Sequence, residues 1–313
     1  MFNSTHTLVA VAIARTGADE WVPYAAATAV IASNLPDIEI VTGLLGTPAY
    51  LEYHRGITHS LIGVPILALL LAAAVHIFSG KFWKTYLVAL IAMATHPALD
   101  YTNTYGLRPF LPWSGTWYYG DTLFIIDPYI DLALLVGIVA GQLRPKVRRV
   151  IARLSLGIIL AYIGVRIELH RMAATKLEAV VRQTPGVEKW AVLPKMFNPL
   201  QWEGIIETET SVEKVGVDSL GGLVRAADVT RMDRGPRSAI VSRAANARSA
   251  AALLDFARFP VTRLEPMPSG YRVTFLDFRF YSEVTNTALA SEVILDQSLH
   301  VVKESLSFAK TIH

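Results

Sequence analysis

Four stretches of this chain, residues 61–78, 82–99, 122–142 and 150–168, are predominantly apolar over lengths of about 18 to 21 residues. With a rise of about 1.5 Å per residue, each comes close to the ~30 Å hydrocarbon core of a bilayer. Hydrocarbon offers backbone amides and carbonyls no partner, so apolar runs of this length are expected to cross as helices. Pro65 and Pro128 fall early in their segments, where a missing amide proton is tolerated. Of the 313 residues, 52% are hydrophobic and 18% charged, with a mean hydropathy of +0.38. That is too apolar for an ordinary soluble enzyme, yet it leaves room for one soluble domain. The expected fold is a mainly α-helical polytopic membrane domain over residues 1–183, followed by a small C-terminal α+β soluble domain over residues 184–313.

Ahead of the four runs lie two shorter ones, residues 1–15 and 21–35, joined by a turn at 16–20. Each falls below the ~20 residues a crossing needs, so they are expected to be half-spanning or packed among other helices. The first lacks a basic leader and a cleavage site and reads as a retained helix. As a hairpin they bring His6 and Asp37 to the same side. Residues 38–53 carry Gly43, Gly46 and Pro48 and read as a loop with a short helix. Residues 101–121 are rich in Trp, Tyr, Pro and Gly, a composition suited to an interfacial belt over a site opening. Residues 169–183 are amphipathic, and Thr184-Pro185-Gly186 marks the domain boundary. Beyond it, residues 202–217, 271–283, 288–294 and 300–308 read as strands and 247–258 as a helix.

Charge sets the orientation. Lys81 and Lys84 lie in one turn, and Arg144, Lys146, Arg148, Arg149 and Arg153 lie at another, two spans away. By the positive-inside rule both turns are cytoplasmic. The opposite face then holds His54, His59, His96, Asp100 and Asp121, and by alternation His6, Asp37 and the C-terminal domain.

Ionisable groups at such a boundary are expensive unless they bind or pair. His96 and Asp100 are four apart and share one helix face, so they can offer a nitrogen and a carboxylate to one cation; a structural His–Asp pair is the alternative. His54 and His59 are five apart, about 140° around a helix, and need the break that Gly56 supplies. Asp127 and Asp131 lie one turn apart in an apolar run, and Asp127 is the better candidate ligand or partner of a ligand. Asp121 is either a loop carboxylate near the opening or a helix cap. Arg55 is positioned to steer an anionic phosphate or to snorkel. With no cysteine in the chain, thiolate sites, disulfides and cysteine nucleophiles are excluded, and metal ligands must come from His, Asp and Glu. The net charge of +3 comes largely from local basic clusters and gives no case for nucleic-acid binding. No Walker loop, nucleophile elbow or convincing dinucleotide fingerprint is present.

The elements His54-Arg55-Gly56-Ile57-Thr58-His59-Ser60, Asn34-Leu35-Pro36-Asp37, His96-x-x-x-Asp100 and the stretch from Tyr119-Gly120-Asp121 to Asp127-Pro128 together resemble the YdjM-like bacterial inner-membrane family. The resemblance covers roughly residues 1–170, and Asn198-Pro199-Leu200-Gln201-Trp202 is similar to the appended domain of some members. Members of that family are described as membrane-bound metal-dependent hydrolases, distantly similar to zinc-dependent phospholipases C. The resemblance implies a multi-pass inner-membrane hydrolase using one or two divalent ions, most plausibly zinc. The metal ligands are expected among His6, Asp37, His54, His59, His96, Asp100 and Asp127. Asp37 or Asp121 would take a proton and Arg55 would contact the substrate. The expected substrate is a phosphoester of a lipid or lipid-linked molecule at the extracytoplasmic surface. The alternative is a non-catalytic membrane scaffold or a metal-ion transporter.

Overall fold

Helix α1 (Asn3–Ile13) lies at the centre of the N-terminal half, packed against α3 (Ala25–Asn34), α6 (Phe82–Tyr101) and α7 (Pro128–Leu143). Small residues allow this. Ala10 and Ala14 meet Ala25, Ala29 and Ala32 of α3, Ala68 of α5 (Gly63–Ser79), and Ala89 and Ala92 of α6 in one buried cluster. Lipid tails are as apolar as leucine, so helices in a bilayer associate through close backbone approach rather than through burial of bulk. A second cluster joins Val9 and Ala12 of α1 to Leu99 of α6, Ile130 and Leu134 of α7, and Ile159 of α8 (Arg148–Val181).

The computed structural model describes residues 1–223, 230–282, 285 and 287–310. Two units emerge, one of Met1–Glu39, Arg55–Met172 and Leu193–Trp202, the other of Ile40–His54, Ala173–Val192 and Glu203–His313. In the first unit the short α2 (Asp19–Trp21) follows a π-turn at Ala14–Ala18. Among the described residues two helices are long and apolar enough to cross a membrane, Ala25–Leu45 with 21 residues and Pro145–Val181 with 37; a third is reached only by joining α5 to the bent segment before it.

This set differs from the four runs expected. The chain does not stop at Asn34; it continues as a 3-10 helix through Leu35–Leu45, lengthening a segment that reads as too short. Conversely, Asp127 caps α7 and Pro128 opens it, so residues 122–127 stay outside the helix and only 16 residues remain, about 24 Å. Helix α6 has 20 residues, but Lys84 and Thr85 at one end and His96, Pro97 and Asp100 at the other dilute its apolar character. Residues 193–202 also belong to the first unit: the Arg166 guanidinium lies 4.2 Å over the buried ring of Trp202, and Tyr129 Oη donates to the Phe197 carbonyl at 2.9 Å.

The second unit holds α4 (Thr47–Tyr53) and most of two sheets. One follows the order β1 (Val187–Pro194), β2 (Gln201–Thr208), β3 (Ser211–Asp218), β4 (Gly222–Leu223), with β5 (Thr230–Asp233) also pairing with β3. The other is an antiparallel meander of β6 (Pro260–Met267), β7 (Gly270–Asp277), β8 (Thr287–Asp296) and β9 (Val301–Lys310). After α9 (Ala239–Ala245), the amphipathic α10 (Arg248–Phe256) covers the meander, burying Leu253 and Phe256 where Val273, Phe275 and Val293 are buried from the strands. Glu283, at the end of the strand expected over 271–283, lies outside the described residues.

Candidate metal centre

Five side chains from α1, the 3-10 helix after α3, the turn Ile57–His59 and α6 converge in the first unit: His6, Asp37, His59, His96 and Asp100. They form two overlapping groups, His6–His96–Asp100 and Asp37–His59–His96, in each of which the donor atoms lie within 4.8 Å of one another. Four contacts link the two groups. His59 Nε2 is 3.5 Å from Asp37 Oδ1 and 3.6 Å from Asp100 Oδ2, and His96 Nε2 is 3.5 Å from each of these oxygens. An N–H···O hydrogen bond would draw such atoms to about 2.7–3.2 Å. Donors about 2.0–2.2 Å from a zinc in tetrahedral geometry stand about 3.3–3.6 Å apart, the spacing of these four contacts.

The protonation of His96 is set by the backbone. Its Nδ1 lies 2.6 Å from the carbonyl oxygen of Ser33, in the last turn of α3. A carbonyl only accepts, so Nδ1 carries a proton, and Nε2 is the nitrogen that faces Asp37 and Asp100 and would bind an ion. Buried His96 Nε2 and both ring nitrogens of buried His6 have no hydrogen-bond partner among the described residues. The His6 ring stacks on His96 at 3.8 Å between centroids, with Nε2 at 3.4 Å from Asp100 Oδ1. Asp100 therefore turns one oxygen to the four-donor set and the other to His6, as a carboxylate shared by two ions would. The amino group of Met1 contacts that second oxygen.

The surroundings hold these ligands in place. Arg55 is buried rather than standing free at the membrane edge: its Nε lies 3.1 Å from Asp100 Oδ2, and Nη1 donates to Asn103 Oδ1 at 2.8 Å and to the Gly106 carbonyl at 3.3 Å. Gly106 has φ +80°, and a Cβ there would lie 2.5 Å from the Tyr119 ring, so only glycine presents that carbonyl. Glu39, also buried, accepts from the amides of Gly56 and Thr58 at 3.2 and 3.4 Å and from Thr58 Oγ1 at 2.5 Å. Its other oxygen is 3.6 Å from His59 Nδ1, which also lies 3.1 Å from Thr58 Oγ1. Glu39 thus shapes the turn that presents His59 and sets a carboxylate beside its ring. Gly63 permits the turn to close, since a Cβ there would fall 1.8 Å from the Ile57 carbonyl oxygen.

Three expected residues take other places. His54 belongs to the second unit, ends α4, and stacks on Tyr50 at 4.7 Å between centroids; it is in neither donor group. Asp127 serves as the N-cap of α7, its Oδ1 accepting from the amides of Tyr129 and Ile130 at 3.1 and 3.2 Å while Oδ2 accepts from Tyr162 Oη of α8 at 3.0 Å, and it is in neither donor group. Asp121 is buried in a left-handed turn with φ 51°, outside both groups, and Asp127 rather than Asp121 caps the helix.

Glu39 and Asn103 are the residues that sequence reasoning passed over. The signal for Glu39 was a second acid two positions after Asp37, flanked by Ile38 and Ile40. Glu39→Gln is expected to weaken zinc binding about 10- to 100-fold, the usual cost of losing a partner behind a metal ligand. Titration against a competing chelator reads it, and an unchanged affinity would remove Glu39 from the centre.

A curated Bacillus subtilis (strain 168) relative, described as uncharacterized protein YfhP, is 27% identical over 295 residues, covering 90% of this chain and 88% of that protein. No solved structure matches significantly. The sequence profile described as YdjM inner membrane protein matches residues 1–173, the whole of the segment that supplies the converging His and Asp residues. The chain belongs to the YdjM inner membrane protein family.

Proposed function

We propose that this inner-membrane protein is a metal-dependent hydrolase that holds one or two divalent ions, zinc foremost, and cleaves a phosphoester of a lipid or lipid-linked substrate. The observation that carries this reading is His96: its proton is committed to the Ser33 carbonyl, and its buried, unbonded Nε2 stands 3.5 Å from two carboxylate oxygens. Asp37, His59, His96 and Asp100 would hold the first ion, with His6 and the other oxygen of Asp100 offering a second position. When bound, such an ion would supply Lewis acidity, lowering the pKa of a bound water toward ~7 and drawing charge from a phosphoryl oxygen.

The chain's own groups divide the remaining work. The Asp37 side chain is 18% exposed against 0% for those of His59 and His96 and 2% for Asp100, so Asp37 lies on the open side. Its Oδ2, outside the four-donor set, is the atom placed to take a proton from water. Arg55 holds Asp100, and Glu39 holds His59. The Lys/Arg bias of the turns is what supports an extracytoplasmic centre.

A second reading, a non-catalytic scaffold or transporter, draws on the same geometry. Four protein donors close a tetrahedral site, as in structural zinc centres. Elemental mass spectrometry of the detergent-purified protein, paired with hydrolysis of phosphatidic acid and phosphatidylglycerol in mixed micelles, separates the two. Turnover that disappears with chelator and returns with zinc is the expected result. A stoichiometric ion with no turnover of any phosphoester tested would favour the scaffold.

A further inference from the structure

A hollow of about 570 Å³ opens beside His59 within the first unit. Its floor is one face of α6, where Leu90, Ala94, Pro97, Ala98 and Tyr101 recur at helical spacing. The short side chains at 94, 97 and 98 leave the gap. Val64 and Pro65 at the start of α5 form one wall, and Leu107, Pro109 and Phe110 form the other. That second wall is tied down: Leu107 and Tyr118 exchange backbone hydrogen bonds at 3.0 and 2.9 Å, and the Leu61 amide donates to the Pro109 carbonyl at 2.9 Å.

We infer that this hollow seats a hydrocarbon chain of the membrane lipid whose phosphate headgroup reaches the metal centre, an inference that rests on the hydrolase reading above. The volume falls within the ~300–1,000 Å³ of small-molecule sites. A polar ligand would lose its water there and find few partners, whereas an alkyl chain loses nothing. The hollow borders the centre: His59 lines it while its Nε2 stands 3.6 Å from Asp100 Oδ2. It also lies on helices with apolar outer faces: Ile66, Leu69 and Leu70 of α5 and Leu87 and Ile91 of α6 are exposed, as residues that meet lipid tails would be. A tail in the hollow would bring its headgroup to the side of the centre that His59 forms while remaining next to the bilayer.

The test uses the full chain in vesicles of phosphatidylethanolamine and phosphatidylglycerol, with a fraction of the phosphatidylglycerol carrying a diazirine in one acyl chain. After irradiation, adducts are mapped by mass spectrometry. The expected result is severalfold enrichment on residues 90–101 and 107–118 over Ile77, Phe78, Leu132 and Leu135, which are exposed elsewhere on α5 and α7. Ala94→Phe and Ala98→Phe should each cut those adducts severalfold; Ala98→Leu serves where the larger ring prevents folding, judged by circular dichroism. His96→Ala should leave the adducts in place, since the seat needs no ion. Even labelling that filling the hollow does not change would overturn the inference. So would cross-linked pairs of this chain through Ala94 and Ala98, which would make a second copy the occupant. Enriched adducts in a protein that turns over no phosphoester would sink the hydrolase reading and leave the seat standing; turnover with even labelling would sink the seat alone.

Discussion

A His96→Ala protein is expected to purify without a bound divalent ion, its zinc affinity lowered by well over the ~100-fold that marks the upper range for losing an outer partner of a ligand. Phosphoester turnover, where the wild type shows it, should fall to background. His96 is common to both donor groups, so whichever group holds an ion loses a ligand with it. It is also the ligand whose tautomer is fixed in advance, by a carbonyl of a neighbouring helix. His76→Ala is the matched control: His76 lies near the end of α5 with its ring edge-on to Phe82 at 5.7 Å, and its loss should leave metal content unchanged. Elemental analysis after zinc reconstitution reads both variants. A wild-type protein that retains no zinc under those conditions would reduce the cluster to a His–Asp network without an ion.

How far this centre could be read from the sequence depends on what each residue had to announce. His6, His59, His96, Asp37 and Asp100 are polar groups at the ends of apolar runs, where only binding or pairing repays their desolvation. The same rule pointed to Asp127, because a cap and a ligand look alike in sequence: Asp127-Pro128 opens a helix, and the carboxylate is used by that helix's own amides. His54 stood in the same short motif as His59, yet the turn at Gly56 separates them into different units. Glu39 was hidden by the nearer claim of Asp37. Arg55 was visible, but whether it met solvent or Asp100 depended on the 101–106 turn, where Asn103 and the Gly106 carbonyl wait for it. Among the helices, periodicity located the cores of the runs. It missed the 3-10 continuation past Asn34, because Pro36 and Asp37 read as a stop when the chain only tightened its winding.

The two carboxylates of the four-donor set should part company when the ion is removed. In metal-free protein, Asp100→Asn is expected to destabilise the fold by about 3–5 kcal/mol, the cost of stripping the partner from a buried charge. Asp37→Asn should cost far less. The difference follows from what each acid faces. Asp100 pairs with the buried guanidinium of Arg55 at 3.1 Å, and that charge cannot be discharged by losing a proton. Asp37 meets the imidazoles of His59 and His96, which can remain neutral, and its side chain is partly open. Both variants should lose zinc. Thermal unfolding in chelator therefore separates them where metal analysis does not, and the double variant Asp100→Asn with Arg55→Met should recover part of the loss, because it removes the stranded charge along with its partner. Equal metal-free melting temperatures for the two single variants would mean that Arg55 does not depend on Asp100. The guanidinium would then be free to meet an incoming phosphate, and the division of labour proposed for these residues would have to be reversed.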